Sequence, residues 1–137
     1  MEPRISLVTL AVAQLDRAAH FYENVLKLPR IAMPEEANVA FFEMGQTWLS
    51  LFPREDFAKE VGVPESEIAS GGRCGVTLAH NLGSIEAVDA LFAELQAAGT
   101  CITQPPHKTF WGGYSGYFQD PDNYLWELAW NPDFPHL

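Results

Sequence analysis

Apolar and polar residues follow one another in the same order twice along the chain. The strand-like segment Val8–Ala11 recurs letter for letter as Val76–Ala79. A segment with apolar residues at helical spacing follows each copy. We expect Asp16 to cap the first helix and Ser84 to cap the second, which would end at Gly99. Each half of the chain is therefore predicted to begin with a strand and a helix.

Each predicted helix is followed by strand-like sequence with a turn in its middle. The flanking segments are 39–44 and 47–52 in the first half, and 114–119 and 124–130 in the second. In the first half the turn is Gly45-Gln46, which is typical of a hairpin. In the second half, Pro121 takes the second turn position and Asn123 stands where a positive φ is favourable. Two such halves predict an α+β fold, with helices on one face of mixed sheets.

The length of 137 residues suits a single domain made of two related modules. The first module is predicted at about residues 4–53 and the second at about 73–132. Residues 54–72 between them are polar and are interrupted by Pro64, with one short helix near Glu55–Val61. This segment is interpreted as a connector.

The net charge of −10 bears on the class of partner. A surface this acidic repels the phosphate backbone, and no basic stripe offsets it, so we expect no nucleic-acid binding. The same charge suits a cationic ligand.

Three features bear on location. No apolar run approaches the roughly 18 residues of a membrane-spanning helix, and the first residues lack the features of a signal peptide. The two cysteines, Cys74 and Cys101, stand far apart and outside any Cys-x-x-Cys arrangement, which fits a reducing compartment. We therefore expect a cytoplasmic protein with no membrane partner.

Three features together resemble the vicinal oxygen chelate superfamily, which includes glyoxalase I, bleomycin-resistance proteins and extradiol dioxygenases. They are the segment Leu15–Tyr22, the segment Asp120–Leu128 and the duplicated strand–helix opening. The resemblance covers essentially the whole chain. It implies paired βαβββ modules whose curled sheets enclose a cleft for a small molecule, and commonly a homodimer.

The resemblance also implies four positions that hold a divalent metal in many members. In this chain they fall at Leu7, Ser50, Gly75 and Glu127. Only Glu127 is a good metal ligand, since leucine and glycine offer no side-chain donor and a serine hydroxyl is a poor one. We therefore expect the usual metal site of the superfamily to be lost, and no cofactor.

Glu127 is the sharpest candidate for a functional residue. It is flanked by Trp126 and Leu128 on a predicted core strand, which would remove it partly from water. It would then serve as a general base or bind a cationic group. The alternatives are a structural carboxylate bonded to a tyrosine or arginine, and a residue retained from a lost metal site.

The remaining candidates come from strand alternation and from one unusual segment. Alternation assigns Ser50, Thr77 and Glu127 to sheet faces opposite the helix-packing faces. The segment 110–117 is rich in aromatic residues and glycines, which favours either ligand stacking or a packed aromatic corner. His107 follows two prolines and is interpreted as a loop residue. The expected ligand-binding residues are Trp48, Ser50, Phe52, Thr77, Asn81, Trp111, Tyr114 and Glu127.

Three functional hypotheses remain open from the sequence. The first is a metal-independent protein that binds, or acts on, a small aromatic or cationic molecule. The second is a metal-dependent lyase, isomerase or dioxygenase of glyoxalase type. The third is a non-catalytic domain that acts through protein contacts. A homodimer is compatible with all three.

Overall fold

The computed structural model describes residues 1–69 and 74–134. The chain divides into two compact units, Met1–Gly71 and Gly72–Leu137. The boundary expected at residues 72 and 73 lies outside the described residues.

The first unit is a four-stranded sheet with two α-helices. Its elements are β1 (Leu7–Val12), α1 (Leu15–His20) with a π-helical turn (Phe21–Val25), β2 (Arg30–Ile31), a 3₁₀ turn (Glu35–Ala37), β3 (Ala40–Met44), β4 (Thr47–Pro53), α2 (Arg54–Val61) and a second 3₁₀ turn (Glu65–Glu67). The strand order is β1-β4-β3-β2. β1 runs parallel to β4, and the other pairs are antiparallel.

The second unit repeats this arrangement with one long helix. Its elements are β5 (Thr77–Asn81), α3 (Ile85–Ala97), β6 (Cys101–Lys108), β7 (Tyr114–Gln119) and β8 (Leu125–Trp130). The strand order is β5-β8-β7-β6, again with one parallel pair, β5 with β8. Each unit is therefore a strand, a helix and three strands, and the expectation of two βαβββ modules in an α+β fold is confirmed.

The two predicted helix caps have different outcomes. Ser84 caps α3, since its Oγ accepts a hydrogen bond of 3.1 Å from the backbone N–H of Ala87. The prediction for Asp16 is wrong. Helix α1 begins two residues earlier than predicted, at Leu15 after Gln14, whose carbonyl accepts the N–H of Ala18 at 3.1 Å. Asp16 lies in the first turn instead, where the positive end of the helix dipole stabilises its carboxylate.

Both predicted turns are present. Gly45 joins β3 to β4 with a φ of +70°, and Asn123 has a φ of +67° in the turn before β8. The Asp120 carboxylate accepts the N–H groups of Asp122 and Tyr124 at 2.9 and 2.8 Å, which holds that turn in shape. The predicted short helix at 55–61 is observed as α2.

In each unit the core lies between the sheet and its first helix. In the first unit the buried Tyr22 follows α1 and packs on Phe42 of β3, with ring centroids 5.7 Å apart. In the second unit the buried Val88 and Leu95 of α3 cover the face of the sheet that carries Phe118. We call the other face of each sheet, which points away from α1 or α3, the distal face.

Within residues 1–69 and 74–134, no helix combines the length and apolar character needed to span a membrane.

Candidate functional site

The distal face of the second sheet carries a hydrogen-bonded carboxylate and phenol. Glu127 on β8 lies opposite Tyr117 on β7, and opposite Ala79 on β5. The Tyr117 hydroxyl donates to Glu127 Oε1 at 2.9 Å. Residues opposite one another in a sheet share a face, and this bond confirms that shared face. The structure thus pairs Glu127 with a tyrosine, as one of the two sequence-based interpretations expected.

The surroundings of Tyr117 raise the pKa of its phenol above the ordinary tyrosine value. Burial raises its pKa, and the hydrogen bond to Glu127 and the charge of that carboxylate raise it further. A hydrogen bond from Ser115 acts in the opposite direction. Ser115 is only 2% exposed and lies on the same face, two residues before Tyr117. Tyr117 therefore acts as the donor and Glu127 as the acceptor.

The Glu127 carboxylate forms no ion pair with any side chain in the described part of the chain. It is half-buried. Charges removed from water are usually paired in proteins. The carboxylate also retains acceptor sites beyond the one taken by Tyr117. Glu127 can therefore receive a cationic or N–H-bearing group.

Small and polar residues surround Glu127 on β5. Thr77 and Asn81 have the same strand parity as Ala79, which places all three on the distal face with Glu127. Thr77 and Ala79 are exposed and Asn81 is half-buried. Ala79 is opposite Glu127 and contributes only a methyl group to this part of the face.

On the distal face of the first sheet, an exposed tryptophan lies near a buried pair of hydroxyls. Ser50 Oγ and Thr9 Oγ1 are 2.7 Å apart, and Ser50 is 2% exposed. Trp48 on the same face is 42% exposed and contacts Phe41, with ring centroids 5.9 Å apart. Phe52 is half-buried on this face. The Ser50 hydroxyl is thus used inside the sheet, and Trp48 is the accessible aromatic surface.

Trp111 lies in the turn between β6 and β7, folded over a glycine. A Cβ built on Gly113 would lie 1.7 Å from Cζ3 of the Trp111 ring. Thr109 closes this turn, because its Oγ1 accepts the Gly113 N–H at 3.0 Å and its own N–H donates to the Gly113 carbonyl at 3.0 Å. Trp111 remains 38% exposed. One part of the indole is therefore held by the turn, and the rest is accessible.

The structure places Tyr114, one of the expected ligand-binding residues, on the face of the sheet opposite to that of Glu127. Its hydroxyl donates to Asp89 Oδ1 on α3 at 2.8 Å, so the ring lies on the helix-packing face. The physical reason is strand alternation, since Tyr114 is three residues from Tyr117 on β7 and must point to the other side. Tyr114 attaches the start of β7 to α3.

The model of the Glyoxalase/Bleomycin resistance protein/Dioxygenase superfamily matches residues 4–128. The chain belongs to this superfamily. The match covers both units and all eight strands up to Leu128 of β8.

Individual relatives within the superfamily are distant but span most of the chain. The protein YraH of Bacillus subtilis is 27% identical over 122 residues, which are 88% of this chain and 93% of YraH. The metallothiol transferase FosB of Shouchella clausii is 30% identical over 128 residues, which are 90% of this chain and 77% of FosB. A crystal structure of a glyoxalase-related enzyme from Fulvimarina pelagi superposes with a TM-score of 0.84 at 28% identity, over 95% of this chain and 89% of that one.

The positions inferred to hold a metal in many superfamily members do not offer a metal site in this chain. Leu7 has no donor atom and is 44% exposed at the start of β1, and the Ser50 hydroxyl bonds to Thr9. Gly75 has a φ of +77°, a backbone conformation that a side-chain ligand such as histidine rarely adopts. In the described ranges no three histidine, cysteine, aspartate or glutamate residues come together in a way that would hold a metal ion. Glu127 alone is a suitable donor, so the residues present do not fit a resident metal.

The expected ligand-binding residues did not include Tyr117, Ser115 or Thr9. Counting outward from the predicted turn at 120–123 pairs residue 119 with 124 and 117 with 126, whereas the structure pairs 119 with 125 and 117 with 127, so the sequence did not predict the partner of Glu127. Strand alternation places Thr9 on the face opposite the helix, and the structure pairs it with Ser50 across β1 and β4. The burial of Ser115 depends on packing that no local pattern reports.

Proposed function

We propose that this protein binds a small organic cation with an aromatic body at Glu127, and does so without a metal ion. The observation that supports the proposal is the half-buried Glu127 carboxylate, which has a phenol donor but no cationic partner in the described ranges. A ligand cation would supply the charge that this face lacks.

Tyr117 restricts how such a ligand binds. It donates to Oε1, which leaves the Oε2 atom and the remaining lone pairs to accept hydrogen bonds from the ligand. Because the carboxylate accepts hydrogen bonds, the ligand must bring the donors, as an ammonium or amidinium group does. The ligand body would lie beside Ala79, which is opposite Glu127.

Charge and aromatic surface favour the same class of ligand. The net charge of −10 raises the local concentration of cations around the molecule. Trp111, in the same unit as Glu127, offers an exposed indole, and an indole face attracts both aromatic rings and cations. These features are sufficient for binding without any chemical step. Glu127 would in addition serve as a general base toward an acidic proton of a bound molecule.

A metal-dependent reaction is the second candidate. It is favoured by the similarity to FosB, named a metallothiol transferase, and to a glyoxalase-related enzyme. It would require metal donors at positions other than Leu7, Ser50 and Gly75, which offer none that is suitable. For this reason we favour the metal-independent proposal.

Glu127→Gln tests the proposal with benzylamine as the probe and benzyl alcohol as its neutral counterpart. We expect benzylamine to bind the parent protein more tightly than the alcohol does, since only the amine carries the charge. Glu127→Gln should weaken benzylamine binding by about tenfold, the loss of one charge-assisted hydrogen bond. Isothermal titration calorimetry measures both affinities.

Glu60→Gln is the matched control, because it removes the same charge from an exposed position on α2. It should leave the affinity for benzylamine unchanged. Equal binding by Glu127→Gln and the parent would rule out the proposed site. Equal weakening by both variants would mean that net charge, and not this site, attracts the amine.

A further inference from the structure

The first unit contains a groove that the site at Glu127 does not involve. It has a volume of about 670 Å³ and lies between α1 with its π-helical turn and the segment from β2 to the 3₁₀ turn. Small-molecule pockets span roughly 300–1,000 Å³. All residues that line the groove belong to the first unit.

The charged residues of the groove leave an excess of negative charge. Three carboxylates line it, on Asp16, Glu23 and Glu35, against a single guanidinium, on Arg30. Arg30 Nη1 lies 3.3 Å from Glu23 Oε2, so these two charges offset one another. Asp16 and Glu35 form no hydrogen bond or ion pair through their side chains with any described residue. Two carboxylates without a side-chain partner among the described residues therefore line the same concave surface.

Apolar side chains and the amide of Asn38 make up the rest of the lining. Met33 is 42% exposed, and Ile31 and Val39 contribute half-buried aliphatic surface. A thioether side chain adapts its shape to hydrocarbon ligands. An anion would be repelled by the carboxylates, and a neutral hydrocarbon would cover them without compensation. The combination suits a flexible hydrocarbon chain that carries positive charges.

We propose that this groove is a second binding site, which takes an aliphatic amine with more than one ammonium group. Its ammonium groups pair with Asp16 and Glu35, and its methylene chain lies on Met33. The site requires neither Glu127 nor Tyr117.

The probe for this site is 1,6-diaminohexane, with hexane-1,6-diol as the uncharged control of the same length. Amide shifts are recorded by ¹H–¹⁵N NMR during the titration. We expect saturable shifts concentrated at residues 31–39, and no comparable shifts with the diol. The double variant Asp16→Asn with Glu35→Gln should weaken diamine binding by about fivefold, the combined contribution of two exposed ion pairs.

Glu65→Gln is the matched control. Glu65, like Glu35, is an exposed first residue of a 3₁₀ turn that follows a proline. Its variant should bind the diamine as the parent does. Asp16 and Glu35 are exposed, so the double variant should keep the dispersed NMR spectrum of the parent, which the same experiment checks.

Two results would overturn this proposal. Shifts spread evenly over the acidic surface would show diffuse attraction of the diamine. Shifts confined to β8, and lost in Glu127→Gln, would show that the diamine uses the site at Glu127. That second result would leave the proposed function at Glu127 in place. If benzylamine instead did not bind at Glu127 while the diamine still shifted residues 31–39, the groove would stand and the proposed function would fail.

Discussion

At the scale of single residues, the Tyr117–Glu127 bond is the contact with the most direct chemical meaning. The Tyr117 hydroxyl donates a hydrogen bond to Glu127 Oε1, and the two oxygen atoms are 2.9 Å apart. Burial is the first reason why the Tyr117 pKa is raised, and the bond with Glu127 is the second. The folded protein therefore holds the phenol proton more tightly than the unfolded chain does.

This difference predicts a loss of stability at alkaline pH. Below the ordinary tyrosine pKa of 10.0 the phenol is protonated in both states. Above that value the unfolded chain releases the proton first, so the free energy of unfolding falls as pH rises toward the higher pKa of the folded state. Tyr117→Phe should cost about 1 kcal/mol at about pH 8. The difference in the free energy of unfolding between this variant and the parent should become smaller by about pH 11.

Urea denaturation at the two pH values measures this difference. Ser84→Ala is the control, because removing a helix cap costs about 1 kcal/mol without removing a group that ionises in this range. The difference in the free energy of unfolding between Ser84→Ala and the parent should be the same at both pH values. A Tyr117→Phe difference that also stays constant would contradict the role given to burial and Glu127.

At the scale of elements, Gly116 determines how closely α3 approaches the second sheet. A Cβ on this residue would lie 2.7 Å from Phe92 Cζ of α3, and 2.8 Å from backbone atoms of Gln104 and Pro106 on β6. No side chain fits between these neighbours. Glycine at this point of β7 lets the helix and the edge strand both pack against the strand backbone.

Gly116→Ala should therefore lower the free energy of unfolding by about 1–3 kcal/mol, the usual cost of inserting a methyl group into a packed core. Gly83→Ala is the matched control. A Cβ at Gly83 meets no atom within 4 Å, and its φ is not positive. It should change stability by less than about 0.5 kcal/mol. Equal costs for the two variants, measured by urea denaturation, would contradict this packing argument.

The elements whose cause is local were predictable from the sequence. Ser84 caps α3 and Asn123 takes its left-handed turn because each uses its own side chain or backbone preference. The duplication made the order of strands and helices predictable in the same way. Half of the candidate site followed as well, since Ser50, Thr77 and Glu127 occupy the distal faces that alternation assigns to them.

The remaining features depend on contacts between distant segments. His107 follows two prolines and was interpreted as a loop residue, but it lies in β6 opposite Ser115. β6 is an edge strand with two register shifts, and an edge accommodates prolines that a central strand does not. Likewise, the contact of Trp111 with Gly113 depends on the shape of a single turn.

At the scale of the whole molecule, the residues that would form a superfamily metal site are spread over both halves of the chain. Leu7 and Ser50 belong to the first half, and Gly75 and Glu127 to the second. Three of the four lack a suitable donor, so restoring such a site would require changes in both halves.

We accordingly predict that protein purified without chelators contains well below one equivalent of manganese, iron, nickel or zinc per chain. The physical reason is that Glu127 alone cannot hold these ions tightly. Inductively coupled plasma mass spectrometry measures the content, and thermal denaturation with each added ion provides a second reading. About one metal per chain, lost in Glu127→Gln, would support the metal-dependent candidate instead.

The strand order has a further consequence, for the time course of synthesis. Each described strand pairs only with strands of its own half, and the first strand of each half pairs with the last. Thr9 of β1 must therefore wait for Ser50, 41 residues later. At roughly 5–20 residues per second, a ribosome covers that interval within seconds. β5 then waits for β8, so the nascent chain passes through two short delays in succession, and its first sheet has every partner strand before the second sheet exists.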